Sequence, residues 1–265
     1  MERRDVLRVS AAVALAGATA ATASAALARA RSVTFVLVHG AWHGGWCWAR
    51  LKPLLEAAGH RVTTPTLTGL GERRHLISRA VTLNTHIQDV ISHIEAEELS
   101  DVVLVGHSYG GFVVCGAADR RPTAITQLVI LDGFVPKDGE AVLDYAPTAA
   151  AYRENAARSE SWNIPPLPAS AFGIADPADA DWVNRRLSPQ PVGTYLQKLT
   201  LTGGIGSIAR LAYISCSAPA LAVLDETKQR IRADQRWRFV DMADGHDVMV
   251  TAPRRLSDVL LSLLV

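Results

Sequence analysis

Short apolar runs rich in β-branched residues recur along the chain at Ser32–Val38, Arg61–Thr64, Val102–Val105, Gln127–Leu131, Ala209–Ser215 and Trp237–Val240. Runs of this length with few polar residues suit strands buried on both faces of a parallel sheet. Between them the spacing changes to a helical period. Trp48, Leu51, Leu54, Leu55 and Ala58 predict a helix over Trp46–Ala58 stopped by Gly59, and Ile87, Val90, Ile91 and Ile94 predict one over Asn84–Leu99. Further helices are expected over Phe112–Asp119, Asp225–Ala233 and Pro253–Leu264. Strand and helix in alternation predict an α/β domain with a doubly wound, mostly parallel sheet.

The alternation stops over about 137–205, where Pro165, Pro166, Pro168, Pro177, Pro189 and Pro191 fall among tyrosines and tryptophans. This stretch reads as a helical cap inserted over the strand ends. Trp162, Phe172, Trp182 and Tyr195 are available either to wall an apolar pocket or to pack the cap on the core. At the other end, Arg3-Arg4 precedes a run of Ala, Val, Leu, Gly and Thr, with small residues around Ala26–Ala30. Residues 1–30 therefore read as an export signal of the twin-arginine type, too poor in Leu for a lasting membrane anchor. Residues 31–265 remain for the folded domain, and a periplasmic or secreted location is expected.

Composition narrows the partners. With 265 residues, 49% hydrophobic content and a net charge of +1, the chain is long enough for one large domain and offers no basic surface to a nucleic acid. Cys47, Cys115 and Cys216 lie far apart in apolar segments and read as buried free thiols.

The chemistry centres on Asp101–Gly111. There Val102–Val105 runs into Gly106-His107-Ser108-Tyr109-Gly110, a G-x-S-x-G pattern between a strand and a helix. Flanking glycines let a strand turn sharply into a helix with a strained Ser at the apex, so Ser108 is the candidate nucleophile. After the first strand, His39-Gly40-Ala41-Trp42-His43-Gly44-Gly45-Trp46 lets the backbone approach a ligand closely, and the Ala41 N–H is a candidate oxyanion donor. His39 and His43 have no third ligand nearby to make a metal site. His86 and His93 lie on a helix as surface or packing residues, whereas His246 follows the last strand, where a general base falls in a Ser…acid…His order.

Together, Phe35–Trp46, Leu51–His60, Val103–Gly111 and Gly245-His246 give the chain its likeness. It resembles the α/β-hydrolase superfamily, and within it the plant methylesterases, hydroxynitrile lyases and bacterial esterases. The likeness spans roughly residues 32–136 and 209–264 and is loose in the cap. It implies Ser108 as nucleophile, His246 as base, the N–H groups of Ala41 and Tyr109 as oxyanion hole, and acyl transfer on a small-molecule ester. No metal or organic cofactor is implied. Lyases of this group typically carry Lys after the catalytic His and Thr after the first-strand His. Here Asp247 and Gly40 stand in those places, which favours hydrolysis. Some relatives of this fold are ligand receptors, from which the retained Ser and His set this chain apart.

One position departs from the superfamily. The usual slot for the triad acid falls near Ser217-Ala218-Pro219, which holds no carboxylate. Asp132, which ends the strand after the nucleophile helix, is assigned instead, as in some lipases of the superfamily. Its rivals are Asp225 and Glu226, and its ordinary alternative is a turn-capping residue beside Gly133. Asp244 and Asp247 are too near His246 in sequence to approach its ring comfortably.

Overall fold

The computed structural model describes residues 32–145 and 162–264. The expected export segment lies outside the described residues. In chain order the strands are β1 (Thr34–Val38), β2 (Arg61–Thr63), β3 (Val102–His107), β4 (Ile125–Leu131), β5 (Asn163–Ile164), β6 (Gln190–Pro191), β7 (Arg210–Cys216) and β8 (Trp237–Met242). Six of them form a wholly parallel sheet in the order β2-β1-β3-β4-β7-β8. The other two, β5 and β6, make a small antiparallel pair within the cap.

Alternation along each central strand divides the core in two. Val102 and Leu104 of β3 face one apolar cluster, while Val103 and Val105 face the other. On the first face pack α2 (Leu83–Ala96), α3 (Gly110–Arg120) and α6 (Asp225–Ala233). On the second pack α1 (Lys52–Ala57), α7 (Val248–Thr251) and α8 (Pro253–Ser262). Helices on both faces explain why β3 is buried along its whole length. The edge strand β8 exposes Arg238 and Asp241 instead.

The helix expected over Trp46–Ala58 is split. A 3₁₀ turn, Gly45–Trp48, is followed by α1 starting only at Lys52, with Pro53 in its first turn. Proline lacks the N–H that would bond back to residue 49, so the ladder cannot run through it and has to restart. By contrast α2 begins at a capping box, in which Thr82 and Thr85 each bond the other's backbone.

Short elements make up the cap, including α4 (Pro177–Asn184), capped by Asp176, and α5 (Gly193–Leu196). Its return to the core is pinned by Asp119 at the end of α3. That carboxylate accepts the N–H groups of Thr202 (2.7 Å), Gly203 (2.9 Å) and Gly204 (2.7 Å) and the Thr202 hydroxyl (2.9 Å). Burial pushes Asp119 up, but the hydrogen bonds from Thr202 and the glycines hold it below the usual carboxylate range. Asp119→Ala is expected to lower the unfolding free energy by about 3 kcal/mol at neutral pH, read from urea denaturation. A depressed pKa stabilises above the unfolded value, so the difference between wild type and variant should shrink as pH falls below about 4.

Candidate active site

The site is built where β3, β4 and β1 end side by side. At the end of β3 the chain turns so sharply that Ser108 takes a φ of +54°, in the left-handed region costly for a residue with a Cβ. The turn is tied to the next strand. Ser108 N–H donates to the Leu131 carbonyl at 3.1 Å, and Phe134 N–H donates to the Ser108 carbonyl at 3.3 Å. At Gly110 a Cβ would lie 2.7 Å from the His39 carbonyl, so only glycine lets α3 start this close to β1.

Asp132 follows β4 with its own positive φ of +39° and donates its N–H to the Ile214 carbonyl of β7 at 2.7 Å. His246 reaches it from the loop after β8, with His246 Nδ1 2.7 Å from Asp132 Oδ2. On its other oxygen Asp132 accepts the Cys216 N–H at 2.9 Å and pairs with Lys228 Nζ at 2.7 Å. Burial pushes this carboxyl up, yet the hydrogen bond and charge of His246, and then Lys228, hold it below the ordinary range. The acidic rivals are elsewhere: Asp225 and Glu226 are exposed in the first turn of α6.

Ser108 and His246 both line a cavity of about 250 Å³. Trp42, Phe134, Phe172 and Tyr195 line it together with Val142, Leu167, Leu221 and Val223, and no side chain with a fixed charge lines it among the described residues. Of the cap aromatics, Phe172 and Tyr195 thus face the cavity. Trp182 instead lies beneath the guanidinium groups of Arg50 and Arg186, and the Trp162 carbonyl accepts the Val192 N–H within the cap.

The loop after β1 passes directly over the serine. A Cβ on Gly40 would lie 3.0 Å from both Ser108 Cβ and His107 Nδ1, leaving no room for a larger residue without displacement. Among the described residues no acceptor takes the N–H of Ala41 or of Tyr109. Trp42 holds this loop to the cap. It has a φ of +64°, its N–H donates to Gln190 Oε1 at 3.1 Å, and its indole N–H donates to the Ile164 carbonyl at 3.1 Å.

Around the site, burial lowers three of the buried histidines and a carboxylate raises a fourth. His39 donates from Nδ1 to the Gly40 carbonyl and accepts the Leu67 N–H at Nε2, and burial pushes it down to about 3. His86 is fully buried rather than at the surface. It donates from Nε2 to the Thr68 carbonyl and accepts the Tyr109 hydroxyl at Nδ1, and burial lowers it to about 4. His107 donates to the His246 carbonyl at 3.1 Å, and burial puts it at about 3. His43 is different. Both its nitrogens face acceptors, the Ala41 carbonyl at 2.7 Å and Asp247 Oδ2 at 3.0 Å. Burial alone would lower it, but the Asp247 carboxylate holds it above the ordinary imidazole value, and His43 in turn holds Asp247 below the carboxylate range against its burial.

This buried pair joins the loop carrying Ala41 to the loop carrying His246. Sequence reasoning missed it and missed Lys228, because nothing local couples residue 43 to 247 or 132 to 228. His107, His246 and Asp247 bring donor atoms within 4.8 Å of one another, as a metal site would. Those side chains are already bonded to the His246 carbonyl, to Asp132 and to His43, which makes the group a hydrogen-bonded cluster. All three cysteines are buried and free.

Residues 35–259 match the Alpha/beta hydrolase family, and the chain belongs to it. It is 43% identical over 240 residues to a carbendazim hydrolyzing esterase of Nocardioides sp. (strain SG-4G), covering 86% of this chain and 98% of that protein. It is 30% identical over 263 residues to Methylesterase 2 of Arabidopsis thaliana, covering 88% and 96%. Among solved structures it is similar to an extracellular alpha/beta-hydrolase from a Paenibacillus species, with a TM-score of 0.76 at 25% identity over 87% of this chain and 98% of the other. With esterase relatives matched along nearly their whole length, the chain is a carboxylic ester hydrolase. Among the described residues no helix is long and apolar enough to cross a membrane.

Removing Asp247 takes away the group that holds the proton on His43, so burial returns the imidazole to its neutral form and one ring nitrogen loses its partner. Asp247→Ala should therefore cost about 3–5 kcal/mol in chemical denaturation. A depressed carboxylate stabilises above its unfolded pKa and a raised histidine below its own, so the penalty should be greatest between about pH 4 and 6.5 and shrink as His43 loses its proton at higher pH.

Proposed function

We propose that the protein hydrolyses small, uncharged carboxylic esters through an acyl-enzyme on Ser108. The observation that carries this reading is the meeting of Ser108 and His246 in one apolar cavity while His246 Nδ1 is committed to Asp132. That commitment leaves Nε2 as the basic nitrogen. His246 takes the Ser108 proton as the hydroxyl attacks the ester carbonyl, and Asp132 stabilises the imidazolium that forms. The N–H groups of Ala41 and Tyr109 receive the oxyanion. Collapse of the tetrahedral species expels the alcohol with the proton from His246. Water then repeats the sequence and frees the acid and Ser108.

A cavity without fixed charge on its walls selects against charged acyl or alcohol groups, and Trp42, Phe172 and Tyr195 favour a flat or aromatic one. Carbendazim, named for the relative from Nocardioides, is a natural test compound beside simple aryl acetates. The lyase alternative is disfavoured by Asp247, which is engaged with His43, and by Gly40, where a threonine would crowd Ser108. The retained Ser108 and His246 favour a hydrolase over a non-catalytic receptor.

A fluorophosphonate probe should label Ser108, and Ser108→Ala should lower kcat for p-nitrophenyl acetate by about 10³-fold or more. Asp132→Asn should lower it by several powers of ten with the fold intact by circular dichroism, and Asp225→Asn should change it little. Retained activity in Ser108→Ala, or a reversal of the two aspartate results, overturns the assignment.

We also infer an exported mature protein, on the strength of Arg3-Arg4 and the Ala-rich run after them. Mass spectrometry of natively expressed protein should find a start near Arg29–Ser32. A full-length cytoplasmic species, unchanged when Arg3 and Arg4 are both replaced by Lys, overturns this.

A further inference from the structure

The carboxylate that orients His246 is not held by backbone alone. We propose that Lys228 is a positioning residue for it: its ammonium fixes Oδ1 of Asp132 and offsets the negative charge that His246 would otherwise feel. The proposal rests on the Ser108–His246–Asp132 reading above.

The geometry divides the two oxygens of Asp132 between two jobs. Oδ2 faces His246 Nδ1 at 2.7 Å, while Oδ1 faces Lys228 Nζ at 2.7 Å and the Cys216 N–H at 2.9 Å. Lys228 is itself held, because its ammonium also donates to the Cys216 carbonyl at 2.7 Å and its side chain is only 12% exposed. The cation comes from α6 and the acid from the end of β4, and both are bonded to Cys216 at the end of β7, the acid to its N–H and the cation to its carbonyl.

A carboxylate alone next to an imidazole favours the imidazolium. With an ammonium on its far oxygen the pair is formally neutral, and it attracts the proton on His246 less strongly. Lys228 therefore weakens the hold of Asp132 on the proton that His246 takes from Ser108.

The other ionisable groups around this cluster have their own partners or stay neutral. From β3, the His107 ring lies 4.4 Å from that of His246, tilted by 44°, and is neutral. In the loop after β8, Asp247 is balanced by His43 and Asp244 by Arg255. From β7, the Tyr213 hydroxyl donates to the Gly133 carbonyl, and burial pushes both it and the Cys216 thiol up, so neither is ionised at neutral pH. From α6 itself, Arg230 donates to the Val135 carbonyl. Lys228 is the cation placed on the Asp132 carboxylate.

The test is the pH profile of kcat/KM for p-nitrophenyl acetate in wild type, Lys228→Met and Lys228→Arg, from about pH 4 to 9. In Lys228→Met the acidic limb should move up by about one pH unit or more, and the plateau kcat should fall about tenfold with KM little changed. Lys228→Arg should return the limb towards wild type. A Lys228→Met profile that keeps the wild-type acidic limb, whatever the loss in rate or melting temperature, overturns the proposal and leaves Lys228 a structural residue. Should Lys228→Met not fold, Lys228→Gln is read the same way, with the Nδ1 proton resonance of His246 followed by NMR in a Ser108→Ala background. Asp132→Asn is assayed alongside. If it retains activity, the triad reading and this proposal fall together; if it is inactive while Lys228→Met keeps the wild-type limb, only the role of Lys228 falls.

Discussion

The strained backbone at Ser108 is the constraint around which the domain is arranged. A left-handed φ on a residue with a Cβ costs on the order of 1–3 kcal/mol and persists only where the surroundings enforce it. Here the enforcement comes from the parallel register of β3 and β4. Ser108 N–H is anchored on Leu131, the last residue of β4, and the Ser108 carbonyl is held by Phe134 just beyond it. The same anchoring delivers Asp132 between those two contacts, again with a positive φ. Two unfavourable conformations are thus supported by one set of backbone bonds, and the serine and the acid cannot shift independently of each other.

Charge is handled in a comparable way. Buried ion pairs seldom add net stability compared with apolar residues of the same size, because desolvation offsets the attraction. The two here, Asp132 with Lys228 and Asp247 with His43, each join segments far apart in sequence and each touch a segment that carries a candidate site residue. They hold the Ala41 loop, the His246 loop and α6 in one arrangement. Loss of either partner leaves a buried polar group short of a partner, so the cost of misassembly is high even if the gain from assembly is small.

Most of the central sheet was legible from the sequence, for a physical reason. A strand buried on both faces can tolerate almost no polar residue, so Val102–Val105 and Gln127–Leu131 stand out without any knowledge of their neighbours. The candidates Ser108 and Asp132 stood out because each follows such a strand, and His246 because it follows the last strand of the alternation, the edge strand β8. The break at Pro53 was present in the sequence but outweighed by the apolar spacing around it. Lys228 was not legible, since on α6 it is one polar residue among Asp225, Glu226, Arg230 and Arg232, and only the three-dimensional meeting of α6 with Asp132 distinguishes it. The cavity walls were half legible for a related reason. Without a period in the cap, Phe172 and Trp182 look alike in sequence, yet one faces the cavity and the other sits under two arginines.

The placement of charge also bears on turnover. No residue of either ion pair lines the cavity, which is walled by aromatic and aliphatic side chains. On the proposed reading the substrate enters as a neutral ester and the product is a carboxylic acid, which is ionised at neutral pH. An apolar cavity with no cation on its walls holds a neutral ester by area burial but must desolvate a carboxylate without compensation. The free energy that favours binding therefore reverses when the ester is cleaved. Release of the acid is driven by the same absence of charge that selects the substrate, and a cation placed on the cavity wall would oppose both.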